Sequence, residues 1–116
     1  MKIIKSVTEK IREEISDANV YADLAMEWSE KEPEAADVFF ELSTEEMGHA
    51  EQLHTIVTDE IRKYREEHGD PPPAMLALYN YLHQQQTEEA MKVRIKQGMY
   101  KEKKGNPFPP EEAGFQ

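Results

Sequence analysis

Apolar positions recur near the start of the chain in alternating steps of three and four: Ile4, Val7, Ile11, Ala18, Tyr21, Ala25 and Trp28, with Glu14 standing inside the series. That spacing marks one face of a packed helix, not the two-residue alternation of a strand. A second series runs Ala35, Phe39, Leu42, Glu46, His49, Leu53 and Ile56, and here Glu46 and His49 fill two successive positions of the stripe. Glycine and proline punctuate the same segments. Ile4 to Glu30 contains neither, Pro33 suits an early position of the next helix, and His68-Gly69-Asp70-Pro71-Pro72-Pro73 is a stop followed by a restart. The pattern predicts helices over about 4–30, 33–67 and 74–103, all rich in helix-favouring Ala, Glu, Lys, Leu, Gln and Met. At ~1.5 Å per residue the first two would run roughly 40 and 50 Å, lengths that suit a bundle.

The expected architecture is therefore all-α, with a helical domain over 1–103 and a Pro-rich tail over 104–116. Composition adds two constraints. With 116 residues and 38% apolar residues, one lean domain is expected, its core completed by a second chain. Fourteen Lys and Arg stand against 24 Asp and Glu, a formal charge of −10 that disfavours nucleic acid and anionic lipid and attracts cations. The chain has no cysteine, so disulfides, thiol catalysis and cysteine-ligated metal centres are excluded. No apolar run approaches the ~20 residues of a membrane span and no secretory core is present, so a soluble, cytoplasmic protein is expected.

The interruptions of the stripes carry the chemistry. Burying an unpaired carboxylate costs several kcal/mol, so two of them beside an imidazole call for a compensating cation. Glu46 and His49 are three residues apart and project from one side of adjacent turns. If a short turn near Glu32 folds the two helices back on each other, Glu14, 18 residues before it, and Glu46, 14 after it, reach similar heights. A lone Glu-x-x-His is common on solvated faces, and a lone Glu14 could reach water by its stem. The trio in two facing stripes is what singles out Glu14, Glu46 and His49 as metal ligands. Their mixed oxygen and nitrogen donors suit iron, with manganese or zinc as alternatives.

The segments Glu-Ile-Ser-Asp-Ala-Asn-Val-Tyr-Ala-Asp-Leu-Ala from Glu14 and Glu46-Met47-Gly48-His49-Ala50-Glu51 resemble the ferritin-like di-iron superfamily, in particular its rubrerythrin and bacterioferritin branch. The resemblance covers about the first 65 residues and is specific only as a two-part motif. It implies a four-helix bundle holding two metals with one Glu from each of two helices and a Glu-x-x-His from each of the other two. This chain departs from that pattern, since no second Glu-x-x-His follows residue 49. It carries half of a site, in the manner of the short encapsulated ferritins, and a homodimer would complete the bundle and the ligand set. The activity implied is ferroxidase, oxidation of Fe(II) to Fe(III) by dioxygen or peroxide, as part of iron storage that needs a separate protein shell or a small homo-oligomer. The alternatives are a metal-free or zinc-bound helical assembly protein and, more weakly, a rubrerythrin-like peroxidase or another di-metal oxidase.

Other residues bear on details. Glu89, on a helix polar around much of its circumference, is expected to be solvated or dimer-facing, although a third-helix ligand is the competing reading. Tyr21 lies two turns from Glu14 on the same face, either as core or as a hydrogen-bond partner of a ligand. Trp28 is expected in the core at a bundle end, and Met75, Leu78, Tyr79 and Leu82 against the bundle. His54 and His68 are expected at the surface and in a turn, with His83 lacking a partner. Gly48 either allows close approach of a helix or is incidental. Glu13, Asp17 and Glu45 are a solvated face or a cation entry path, and Phe108 and Phe115 belong to the tail.

Overall fold

A computed structural model describes residues 2–105 and forms three helices: α1 Lys2–Trp28, α2 Pro33–His68 and α3 Pro73–Lys103. The boundaries follow the punctuation. Pro33 opens α2 where no intrahelical N–H is needed, while the Glu32 N–H donates to the Trp28 carbonyl at 2.9 Å. Gly69 closes α2 at φ 80°, a left-handed conformation that β-carbon-bearing residues avoid, and its N–H donates to the Arg65 carbonyl at 3.0 Å. Pro73 then opens α3.

Contacts run antiparallel between α1 and α2: Tyr21 stacks on Phe39, Ser43 reaches Ala18, and His49 reaches Glu14. α3 lies mainly on α1 and runs parallel to it, Gln86 meeting Thr8 and Lys96 meeting Asn19 and Asp23. The core follows a seven-residue repeat in every helix. Ile11, Ala18 and Ala25 are buried on α1, Ala36, Ser43, Ala50 and Val57 on α2, and Val93 and Tyr100 on α3. Small side chains at Ala18, Ala25, Ala36 and Ala50 let the backbones approach closely.

The buried face of α2 is therefore one residue on from the expected stripe. Ala36 is buried and Ala35 exposed, and Phe39, Leu42, Leu53 and Ile56 remain half-buried or exposed. The reason is α3. Ser43, fully buried, donates from Oγ to the Ala18 carbonyl at 2.7 Å and accepts from Gln97 Nε2 at 2.9 Å, tying all three helices together. The line of α2 that holds this serine is the buried one, and the Phe39–Ile56 edge stays open. Trp28, expected in the core, is likewise 37% exposed.

The C-terminal half of α3 is strapped by charge. Arg94 pairs with Glu51, Lys96 with Asp23 at 2.8 Å and Lys104, just past the helix, with Asp37 at 3.4 Å, while Tyr100 stacks on Phe40 and donates to Asp37. Burial, then Asp37, pushes the Tyr100 phenol up. The N-terminal half is looser. Tyr79 and Leu82 are half-buried as expected, but Met75 and Leu78 are exposed.

Candidate metal centre

Glu14 is placed by the inner face of α1 and is 7% exposed. Glu46 and His49 are placed one helical turn apart on α2, Glu46 partly buried and His49 more than half exposed at its side chain. The three residues each bring one ligand atom to within 4.8 Å of the others, as the stripe argument requires. His49 Nδ1 lies 3.2 Å from Glu14 Oε2 and 3.8 Å from Glu46 Oε1, so in the Nδ1–H tautomer the imidazole donates to Glu14. Lys10, one turn before Glu14, sets its ammonium 3.3 Å from Glu14 Oε1. The sequence gives no signal for this lysine, whose i,i+4 spacing to Glu14 is ordinary on any helix.

The electrostatics are those of two carboxyls competing for one proton. The hydrogen bond to Glu14, then burial and Glu14's charge, hold the Glu46 carboxyl up to about 7. Glu14 moves the other way, held down first by the hydrogen bond from Glu46 and then by those from His49 and Lys10. Below about pH 7 the pair carries one proton, with Glu46 as donor and Glu14 as acceptor. A cation between the carboxylates would take that proton's place, and two carboxylates with an imidazole nitrogen are a donor set for a borderline divalent metal.

The site opens to one side. At about 100° per residue, Thr8 and Asn19, the α1 residues that meet α3, lie roughly 120–140° around the helix from Glu14. The cluster therefore faces away from α3, on the edge where Val7, Tyr21, Phe39, Leu42, Leu53 and Ile56 are only half covered.

Other candidates resolve individually. Glu89 is exposed and pairs with Lys92 at 3.1 Å, away from the cluster. Tyr21 stacks on Phe39 with ring centroids 6.4 Å apart. A β-carbon at Gly48 would meet nothing within 4 Å, so no helix of this chain needs that glycine for close approach. Glu13, Asp17 and Glu45 are exposed, and Asp17 is near enough to add to the upward push on Glu46. His54 is not a surface residue. It is half-buried, its ring stacked 4.8 Å from that of His83, which stacks in turn on Tyr79. The His54 Nε2 and His83 Nδ1 atoms have no hydrogen-bond partner among the described residues. Phe108 and Phe115 lie outside the described residues.

Comparison with protein-family models, with curated proteins and with solved structures found no match. No described helix is long and apolar enough to cross a membrane.

Proposed function

We propose that the chain binds divalent iron at Glu14, Glu46 and His49, that a second copy completes the centre, and that Fe(II) is the substrate oxidised there. The observation that carries this reading is the convergence of the three ligand atoms within 4.8 Å on the open edge of the α1–α2 pair. Two copies facing each other across that edge bring four carboxylates and two imidazoles together, and they cover the half-exposed Phe39, Leu42 and Leu53. The ferritin-like resemblance of the two motifs supports the same arrangement.

When bound, iron supplies one-electron transfer chemistry: each Fe(II) loses one electron and dioxygen or peroxide takes the pair. The residues do the rest. Glu46 gives up the proton it shares with Glu14, so both carboxylates become oxygen donors. His49 offers Nδ1 as a nitrogen donor once its proton moves to Nε2, which the exposed side of the ring leaves free to face water or the partner. Lys10 neutralises Glu14 in the metal-free state. Asp17, Glu13 and Glu45 lower the potential at the mouth and favour cation entry.

The double variant Glu46→Leu with His49→Phe separates this from a purely structural role. It removes two of the three donors and leaves Glu14 paired with Lys10 alone, so Fe(II) oxidation, followed by Fe(III) absorbance, should fall to the protein-free rate in a variant whose helicity is retained. Oxidation at the original rate in a folded variant would overturn the proposal in favour of an assembly protein.

A further inference from the structure

The outer face of α3 is organised, and its hydrogen bonds stay within the helix, from Gln84 to Glu88 at 3.5 Å and from Gln85 to the Tyr81 hydroxyl at 2.8 Å. The inward line of α3 takes one residue in seven, Tyr79, Gln86, Val93 and Tyr100, each half-buried or buried. On the opposite side Ala77, Tyr81, Gln84, Glu88, Met91 and Ile95 follow in steps of four, three, four, three and four. That is the 3.5-residue repeat of a coiled-coil seam. All six are exposed, with Tyr81 at 58%, Met91 at 60% and Ile95 at 57%.

We infer that this face pairs with the α3 of a second copy in an antiparallel coiled coil centred near Gln86. The argument is complementarity of polarity and size, with like charges kept apart. Antiparallel pairing about that point sets Ala77 against the partner's Ile95, Tyr81 against the partner's Met91 and Gln84 against the partner's Glu88. Each layer then occurs twice. Small Ala77 meets large Ile95, and the amide of Gln84, which within one chain reaches Glu88 at 3.5 Å, turns to the partner's Glu88 across the two-fold axis, the kind of polar layer that fixes register. Beside the seam, Arg94 falls near the partner's Asn80 and Lys92 near the partner's Leu78, with no like charges opposed. A parallel pairing would instead set Glu88 against the partner's Glu88, two carboxylates in one buried layer. The seam has one acid, one amide and no cation, so its complement is a helix offering an amide opposite the acid and a small residue opposite Ile95. A second α3 has both.

This face is distinct from the metal edge, which lies on the side of the α1–α2 pair away from α3. The inference therefore stands without the metal proposal, and its test removes the metal. In metal-stripped full-length protein carrying Glu46→Ala and His49→Ala, sedimentation should still give a dimer, and adding Met91→Lys with Ile95→Lys should weaken that dimer roughly 100-fold with unchanged helicity. Both substitutions are at exposed positions, so folding is retained. Orientation is read by cross-linking, because the chain has no cysteine of its own. An equimolar mixture of Ala77→Cys and Ile95→Cys chains should form the mixed disulfide far more readily than either variant alone. A monomer before the lysine substitutions, a dimer indifferent to them, or preferential self-linking of each cysteine variant would overturn the inference.

Discussion

Glu46 is the residue on which the chemistry turns, and its proton makes a pH prediction. A carboxyl raised to about 7 in the folded chain, against 4.5 when unfolded, binds its proton more tightly folded. Its contribution to stability is full below pH 4.5 and is lost as pH rises through about 7. Metal-stripped protein should therefore lose about 1–2 kcal/mol from this group between pH 4.5 and 8, measured by urea denaturation, and Glu46→Gln should remove that slope. Glu14, held down, acts only below pH 4.5, where its contribution is lost as pH falls. Metal affinity should weaken below pH 7 for the same reason, since binding must displace the shared proton. The cluster of Glu14, Glu46 and His49 was legible because ionisable residues interrupted apolar stripes. Lys10 was not, because a lysine one turn from a glutamate is ordinary on any helix.

The helices themselves were legible almost to the residue, because Pro33, Gly69 and Pro73 mark their ends. Which face of α2 is buried was not. The expected stripe placed Ala35 and Ile56 inside, whereas Ala36, Ser43 and Val57 are buried, since a buried serine bonded to both neighbouring helices leaves no apolar signature. Ser43→Ala should cost about 1–3 kcal/mol by stranding the Gln97 amide in the core. Ser43→Ala with Gln97→Leu should recover much of that loss in the same denaturation assay. At the other end of α3, burial and then His83 hold the His54 imidazole below its usual range. Its contribution is present above pH 6.5 and is lost as pH falls through the lowered value, opposite in sign to that of Glu46. Protection of the amides of residues 76–84, taken relative to the intrinsic exchange rate at each pH, should fall between pH 7.5 and 5, and His54→Phe should suppress the change.

At the scale of the whole molecule, three helices form a slab of 55 × 30 × 18 Å with two exposed apolar lines, one at the metal edge and one along the back of α3. A lean composition predicts a core completed by a second chain. It does not say where, because the edge left open depends on which line of α2 is buried. If both proposed faces pair with second copies, assemblies larger than a pair follow, either closed rings or open chains of dimers. Metal-stripped wild-type protein should accordingly grow in mass when Fe(II) is added anaerobically, whereas the Glu46→Ala, His49→Ala chain should not.

The central claim, a half-site completed by a second copy, is tested most directly by anaerobic Fe(II) titration of the metal-stripped protein with mass determined on the same sample. The account predicts one tightly bound iron per chain in an even-numbered oligomer, lost on replacing Glu46 and His49. No tight iron, or two irons per chain in a monomer, would contradict it.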